Sequence, residues 1–294
     1  MREGRASKTA EYMALFRALE TTRPAGQRLF DDPYARLFLS GRMRLGVALS
    51  RAVPFGNLLR RYIDWRWPGT RTSGAARTRY FDDAIVAALD TGVQQVVFLG
   101  AGFDSRAYRL PALARVNVFE VDHPSTSATK QKVISAVSAA GAEHVQFVPL
   151  DFNIGSLQAA MTMAGFSPGR PTLIVWEGVS NYLTAEAVDG TLRWCATLTA
   201  GSKLIFTYVH QRLFDAPHAF DGTESLFAAL AAADEKWTFG IDPAELRVFL
   251  SRRGLVLEED CGATEYRARY YGNAAIGMSG YEFYRIAVAR VAAP

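Results

Sequence analysis

The sequence predicts an α/β fold: a doubly wound, mostly parallel seven-stranded sheet with an N-terminal helical cap and a lid insert before the sixth helix. From Tyr80 onward, apolar runs of five or six residues alternate with stretches of helical periodicity. The first run, Val96–Gly100, ends in a glycine turn, and the second, Asn117–Val121, ends beside acidic residues. Strands and helices that alternate in this way are typical of a parallel sheet covered on both faces.

The N-terminal part of the chain differs from the rest and predicts two domains. Apolar residues recur at helical spacing from Tyr12 to Leu19, and Asp32-Pro33 is a pair that favours a helix start. We therefore expect a helical cap over residues 1–79 and a cofactor-binding domain over residues 80–294.

The later elements follow in order along the second domain. Further strands are expected over residues 145–149, 173–177 and 203–208, with closing antiparallel strands over 255–258 and 282–288. Helices are expected over residues 80–89, 126–139, 156–164, 185–198 and 243–253. Residues 209–240 leave a connection too long for a compact fold, which predicts a lid or a pocket wall.

Composition excludes several classes of protein. Of 294 residues, 49% are hydrophobic and 21% charged, so the chain can bury a core and is not broadly disordered. Cys195 and Cys261 are the only cysteines, so we expect no disulfide framework, no metal site and a cytoplasmic location. We see no signal segment and no run long enough to span a bilayer, so no membrane partner is expected.

The turn Gly100-Ala101-Gly102 and the acids Glu120 and Asp122 predict a nucleoside cofactor rather than a plain α/β turn. Glycines let backbone approach a ligand, and a carboxylate at the next strand can bind a ribose diol. Ser105 stands where a dinucleotide fingerprint has its third glycine, and Asp104 would repel a diphosphate. A phosphate-free cofactor fits better, and S-adenosylmethionine is the common one. Spacing points first to Glu120 as the ribose ligand, with Asp122 on the same strand face.

Polar residues also follow the later strands, at the edge where ligands bind in such sheets. Asp151 and Phe152 follow the third strand and could hold an adenine. Glu177 ends the fourth strand and could hold an ammonium group. Tyr208 and His210 end the fifth. Each acid alone could be a solvated turn residue, but together they predict a binding edge.

These residues resemble the leucine carboxyl methyltransferase family, and most closely its bacterial small-molecule branch, which includes the tetracenomycin carboxyl methyltransferase. The matching motifs are Leu99-Gly-Ala-Gly-Phe-Asp104, Phe119-Glu-Val-Asp122, Asp151-Phe152, Glu177-Gly-Val-Ser-Asn-Tyr182-Leu, Ser7-Lys-Thr-Ala-Glu, Asp31-Asp-Pro-Tyr34 and Arg77-Thr-Arg-Tyr-Phe-Asp82. The resemblance covers about residues 7 to 290. It is weakest across 209–240 and implies a class I methyltransferase that uses S-adenosylmethionine.

The resemblance also implies roles for single residues. Arg79, helped by Lys8, would bind the methionine carboxylate, and Glu177 the methionine amine. Gly100 would lie against the methionine, Asp122 would bind the ribose, Asp151 and Phe152 would hold the adenine, and Tyr182 would lie near the methyl acceptor.

The acceptor is expected to be a carboxylate of a small polyketide-like or aromatic acid of secondary metabolism. A carboxylate is ionised at neutral pH and needs no base, whereas a phenol usually does. Tyr182, Tyr208 and Arg212 are candidates for positioning it, as is an arginine of Arg267-Ala-Arg269. Methylation of a phenolic hydroxyl with His210 as the base is the alternative.

Three other functions stay open at this point. Nine arginines between Arg42 and Arg79 could form a basic face for nucleic-acid methylation, although a solvated helical surface is the simpler interpretation. The fold could also bind its cofactor as a sensor, or act as a dehydrogenase. The sequence predicts no particular oligomeric state.

Overall fold

Seven strands form one mixed sheet in this computed structural model, which describes residues 8–137, 142–152 and 154–293. The strands are β1 (Gln95–Leu99), β2 (Asn117–Asp122), β3 (Val145–Pro149), β4 (Thr172–Trp176), β5 (Lys203–Val209), β6 (Leu255–Gly262) and β7 (Tyr284–Val291). Their order is β3-β2-β1-β4-β5-β7-β6. Neighbours among the first five are parallel, and β7 is antiparallel to β5 and β6. The predicted fold class is confirmed.

Helices surround the sheet and precede it. They are α1 (Lys8–Thr21), α2 (Gly41–Leu49), α3 (Val53–Arg66), α4 (Thr70–Asp90), α5 (Arg106–Arg109), α6 (Pro124–Ser135), α7 (Leu157–Met163), α8 (Ala185–Ala196), α9 (Arg212–Asp215), α10 (Thr223–Ala233), α11 (Leu246–Ser251) and α12 (Ala263–Tyr271). The expected domain boundary at residue 79 falls inside α4. Ser7 and the end of the helix expected over 126–139 lie outside the described residues.

The strand order creates a switch point between β1 and β4. The chain leaves β1 to build β2 and β3 on one side, and later returns to place β4 and β5 on the other. Every residue of β1 and of β4 is buried, because helices cover both faces of the sheet centre. The loops after these two strands therefore meet at the carboxyl edge, where doubly wound folds bind ligands.

The N-terminal helices pack over this carboxyl edge. Phe16 of α1, Val47 of α2 and Ile63 of α3 belong to one apolar cluster with Phe103, which follows the turn after β1. The ring of Phe103 stacks on Phe38 with centroids 4.8 Å apart. This cluster holds the helices above the binding edge of the sheet.

Two helical predictions differ from the structure. The helix expected over 243–253 becomes α-helical only at Leu246, because the Asp242 side chain accepts the Ala244 N–H and forms a turn first. The segment Ala263–Tyr271, for which the sequence pattern predicted no helix, forms helix α12 and contains the candidate arginines Arg267 and Arg269. Its Tyr266 and Arg267 are buried.

Candidate active site

A cavity of about 1090 Å³ lies over the carboxyl ends of β1 and β4. The loops after β1, β2, β3 and β4 form its floor, and residues of α1, α3 and α10 form its roof. The Thr9 hydroxyl of α1 donates a hydrogen bond to Glu235, which follows α10. The insert over 209–240 therefore supplies a wall of the cavity, tied to the N-terminal cap.

The turn after β1 requires glycine at its first position. Gly100 has a φ of +66°, and a Cβ added there would lie 2.3 Å from Cγ2 of Val179 in the loop after β4. The N–H groups of Gly100 and Ala101 both donate to the carbonyl of Val121. The turn therefore lines the cavity with backbone atoms, as we expected from its glycines.

Asp122, at the end of β2, faces the cavity beside this turn. One carboxylate oxygen accepts the N–H of Gly102, and the other accepts the N–H of His123 at 2.6 Å. Burial raises the pKa of Asp122, and the two backbone hydrogen bonds oppose that shift. Both oxygens keep a lone pair that can accept from a diol.

Glu120 does not reach the cavity, so the prediction from spacing is wrong for this residue. It is 2% exposed, and its carboxylate lies 2.8 Å from Nζ of Lys130 in α6. The hydroxyl of Tyr108 donates to it at 3.2 Å. Glu120 lies two residues before the strand end, where α6 covers the sheet, so it forms a buried ion pair instead.

Glu177, at the end of β4, joins two arginines at the cavity wall. It accepts hydrogen bonds of 2.7 Å from Nε of Arg77 and from Nη1 of Arg106. Arg106 also donates to Asp104 at 2.6 Å and to Asp82 at 2.8 Å. Although burial opposes ionisation, the charge of Arg106 above all lowers the pKa of Asp104 to about 2. The wall is thus a network of ionised, paired groups.

Asp151 and Phe152 line the cavity on the opposite side, after β3. His123 lies beside them, with Nε2 3.9 Å from Oδ2 of Asp151. In the sheet, β3 lies on one side of β1, two strands away, and β4 lies on the other side of β1. The glycine turn after β1 therefore separates Asp151 and Phe152 from Glu177.

Three further residues line the cavity beyond β4. Tyr182 lies in the turn after Glu177, with its ring centroid 6.0 Å from that of Trp237. Burial and then the charge of Glu235 raise the pKa of Tyr182, so its hydroxyl stays protonated at neutral pH. The Asn181 side chain is 0% exposed, and neither its amide nitrogen nor its oxygen has a partner among the residues described.

The residues expected at the acceptor after β5 lie elsewhere. Tyr208 is buried in the core, where its hydroxyl donates to Asp260 and accepts from Arg285. His210 accepts the N–H of Arg212 through Nδ1, and the Arg212 side chain is exposed. None of Tyr208, His210 and Arg212 lines the cavity. The prediction fails because β5 turns away into α9, and the insert returns to the cavity only in α10 and in residues 234–238 that follow it.

The other basic candidates are also directed away from the cavity. Arg267 donates to the carbonyls of Ser279 and Gly280 and to Glu282, and so ties α12 to the chain before β7. Arg269 pairs with Glu259 on the surface. These arginines hold local structure, which the sequence pattern of cations and rings did not reveal.

Two of the arginines between Arg42 and Arg79 are paired with carboxylates and so do not add to a basic face. Arg71 makes two hydrogen bonds, of 2.6 and 2.9 Å, to Asp64. Arg77 is buried against Glu177. In the described part of the chain, no group of three or more His, Cys, Asp or Glu could hold a metal ion.

Comparison with known proteins decides the family. The sequence profile of leucine carboxyl methyltransferases matches residues 10–196, which is more than half of the chain. This chain belongs to the leucine carboxyl methyltransferase family. The family assignment made from the motifs is confirmed.

The names of similar proteins agree with this family assignment. A protein of Mycobacterium avium (strain 104), assigned by its name as an S-adenosyl-L-methionine-dependent methyltransferase, is 37% identical over 203 residues. The match covers 68% of this chain and 65% of the relative, so the chain spans about two thirds of the length of that relative. A protein of the same description from Mycobacterium sp. (strain JLS) is 32% identical over 84% of this chain and 82% of its own. The cofactor is S-adenosylmethionine, as predicted.

The fold of the family member is also shared with a solved structure. A DUF574 family protein from Streptomyces avermitilis superimposes with a TM-score of 0.59 at 14% identity, over 98% of this chain and 99% of its own. At this level of identity the likeness concerns the fold alone.

The cavity of this leucine carboxyl methyltransferase family member fits its cofactor. The backbone of the turn Gly100-Ala101-Gly102 lines the cavity, and the methionine portion could lie against it. Asp122 could hold the ribose diol, and Asp151 with Phe152 the adenine. Glu177 could bind the methionine ammonium with its remaining lone pairs. Lys8 also lines the cavity and could bind the methionine carboxylate.

Arg79 does not fit the role that the family motif implied for it. Its guanidinium is exposed, pairs with Asp83 at 2.8 Å and donates to the carbonyl of Leu29. Arg77, two residues earlier in α4, points into the cavity instead, because a step of two residues turns a helix by more than half a turn. The motif contains both arginines, and only the helix register separates them.

Proposed function

We propose that this protein transfers the methyl group of S-adenosylmethionine to a carboxylate of a small, largely apolar or aromatic acid. One observation carries the proposal. Among the described residues that line the cavity, His123 is the sole histidine, and it lies beside Asp151 at the adenine end. A carboxylate acceptor needs no base, whereas a phenol usually does.

The site residues that we propose for the cofactor follow the strand order. Asp151 and Phe152 after β3 bind the adenine, and Asp122 after β2 binds the ribose. The turn Gly100-Ala101-Gly102 lies against the methionine, and Arg77, Glu177 and Lys8 bind its charged end. The sulfonium of the bound cofactor supplies an electrophilic methyl group.

The acceptor then lies beyond β4, between Tyr182 and the insert. Asn181 supports this position, because a buried amide without a partner destabilises the protein until a ligand pairs with it. Its NH₂ group and the protonated Tyr182 hydroxyl are neutral donors on residues that line this part of the cavity. Neutral donors orient a carboxylate while leaving its charge available for attack, unlike an arginine pair.

The cavity walls favour the transfer by excluding water. Leu226, Leu230 and Trp237 from the insert and Met13 from α1 bring apolar surface to the acceptor region. An acceptor oxygen that has lost its water shell and is aligned with the methyl group reacts faster than one in solution. The product is a methyl ester, and no proton has to be removed.

The experiment incubates the purified protein with labelled S-adenosylmethionine and matched pairs of aromatic acids and phenols. We expect label in the acids alone, in a product that mild base hydrolyses to labelled methanol. Label in a phenol, stable to base, would contradict the carboxylate proposal and support hydroxyl methylation. Turnover of neither would leave cofactor binding to be measured separately by calorimetry with S-adenosylhomocysteine.

The compartment and the pathway belong to this proposal as well. Cys195 and Cys261 are both buried and unpaired, which supports a reducing compartment such as the cytoplasm. A role in secondary metabolism rests on the resemblance to the small-molecule branch. Of the helices described, none is both long and apolar enough to cross a membrane.

A further inference from the structure

The helices α2 and α3 carry an unusual concentration of exposed apolar side chains. Of the fifteen large apolar residues that are exposed in the described chain, seven lie between residues 45 and 65: Leu45, Leu49, Val53, Phe55, Leu58, Tyr62 and Trp65. Trp65 is 75% exposed and Leu58 is 66% exposed. Single exposed apolar residues are ordinary, but a concentration of this kind indicates a contact surface.

The exposed residues of α3 form one stripe. Phe55, Leu58, Tyr62 and Trp65 follow one another at intervals of three, four and three residues, so they lie on one face of the helix. Ile63 lies on another face, buried against α1. The helix is thus apolar on two sides, and among the described residues only one of these sides packs against the rest of the chain.

The surroundings of the stripe are basic. Between residues 42 and 66 the chain has six arginines and one acid, Asp64, which gives this segment a charge of +5. At 100° per residue, Arg61 and Arg66 flank the stripe of α3 on its two sides. An apolar helix face bearing Trp and Tyr, with arginines along its edges, is the pattern of helices that lie in a lipid interface.

The same two helices border the cavity. Met43 of α2, Ile63 and Arg66 of α3 and the adjacent Trp67 all line it. The stripe therefore faces outward from a wall of the site whose inner side receives the ligands. A surface that contacted the stripe would lie beside the cavity.

We propose that the α2–α3 segment docks this protein on an anionic lipid surface, and that its apolar acid acceptor enters the cavity from that surface. The charge decides between this partner and a second copy of the chain. A symmetric dimer through this face would bring two segments of charge +5 together, whereas anionic headgroups complement them. Docking itself is independent of which group accepts the methyl.

Vesicle sedimentation with the full chain tests the proposal. The probes are vesicles of phosphatidylcholine alone and of phosphatidylcholine mixed with phosphatidylglycerol. We expect binding to the mixed vesicles to exceed binding to phosphatidylcholine by more than about tenfold, and to weaken as salt is added. Binding that is absent, or equal for both vesicles, overturns the proposal.

Two pairs of substitutions supply the control. Leu58→Ser with Trp65→Ser removes the two most exposed side chains of the stripe, neither of which lines the cavity, and should abolish sedimentation. Met163→Ser with Ile276→Ser removes side chains that are 90% and 83% exposed elsewhere, and should leave it unchanged. Equal effects of the two pairs would overturn the proposal.

Further measurements distinguish lipid docking from misfolding of the variants and from dimerisation. Circular dichroism and S-adenosylhomocysteine affinity should stay unchanged in both double variants, because the stripe lies outside the cofactor site. Analytical ultracentrifugation should give the same mass for wild type and for the stripe variant. A wild-type dimer that the stripe variant converts to monomer would assign the face to a second copy and overturn lipid docking.

Discussion

Nε of Arg77 in α4 donates a 2.7 Å hydrogen bond to the carboxylate of Glu177 at the end of β4. The contact joins helix α4 to the end of a central strand of the sheet, at the cavity wall. Burial opposes ionisation of Glu177, but the charges of Arg106 and Arg77 lower its pKa below the usual range. The site therefore presents a fixed carboxylate and a fixed guanidinium side by side.

This relationship predicts opposite outcomes for two arginines of one helix. Arg77→Gln should lower the free energy of unfolding by about 3–5 kcal/mol, because it breaks a buried ion pair. It should also weaken S-adenosylhomocysteine binding by about 10- to 100-fold. Arg79→Gln removes an exposed pair with Asp83 and should change stability by less than about 0.5 kcal/mol. Urea unfolding and calorimetry measure both.

Arg77→Lys keeps the experiment informative if the glutamine variant does not fold. Lysine retains the charge beside Glu177 but loses the planar fork, so binding should fall while most of the stability returns. Loss of cofactor binding in Arg79→Gln with normal binding in Arg77→Lys would restore the role implied by the family motif.

The glycine turn gives a second prediction. Gly100→Ala places a methyl group 2.3 Å from Cγ2 of Val179 in a backbone conformation that disfavours it, so cofactor binding should be lost and stability lowered by about 1–3 kcal/mol. Gly190→Ala is the control, because a Cβ in that helix meets nothing within 4 Å and should stabilise by up to about 1 kcal/mol. Adding Val179→Ala to Gly100→Ala should recover part of the loss. Unchanged affinity in Gly100→Ala would contradict the close approach.

The fold was predictable because its signals are local. Each central strand is a short apolar run ending in a turn, and the acids at the strand ends mark the binding edge. Gly100, Asp122, Asp151 and Glu177 line one cavity as expected, since strand order alone brings the carboxyl ends of parallel strands together. Helix α12 was missed, because its buried Arg267 gives the segment the polar appearance of a surface loop.

The acceptor side could not be predicted in the same way. Arg79 lies two residues from Arg77, and Glu120 lies two residues from Asp122. Which residue of each pair faces the cavity depends on how the helix or strand packs, and in both pairs a predicted residue points away. His210 and Arg212 follow β5, but the chain turns away there. Asn181 carries no sequence signal of its own. Its significance lies in burial without a partner, which is visible only in three dimensions.

Glu120 predicts a pH dependence of stability. Burial above all raises its pKa from about 4.5 to about 7. Between these values the folded state binds a proton that the unfolded state has released, so stability falls as pH rises through the interval, by up to about 1.4 kcal/mol per pH unit. Replacing the pair, with Glu120→Gln and Lys130→Met, should flatten this part of the curve. An unchanged slope between pH 5 and pH 7 in urea unfolding would contradict the assignment.

His210 and Arg212 test the choice of acceptor. Since neither side chain lines the cavity, His210→Ala and Arg212→Ala should each leave kcat/KM within about twofold of wild type. Methyl transfer to an aromatic acid, followed with labelled donor, measures this. A large loss in His210→Ala alone would favour methylation of a hydroxyl with His210 as the base.

Asn181 gives the most discriminating prediction, because stability and activity should move in opposite directions. Its amide is buried and has no hydrogen-bond partner among the described residues, so Asn181→Leu, of similar branched shape, should raise the free energy of unfolding by about 1–2 kcal/mol. The same change removes the donor proposed for the acceptor, so kcat/KM should fall by at least about tenfold. S-adenosylhomocysteine affinity should stay unchanged, since the proposed cofactor site lies on the other side of Glu177.

Urea unfolding, steady-state kinetics and calorimetry on this one variant separate the possibilities. A residue with only a structural role would lose stability on substitution and keep its activity per folded molecule. Asn181→Asp sharpens the comparison, because it keeps the size but introduces a negative charge that repels a carboxylate acceptor. If Asn181→Asp reacted with aromatic acids as fast as wild type, the acceptor carboxylate would not lie at Asn181, and its binding position would have to be sought elsewhere along the cavity.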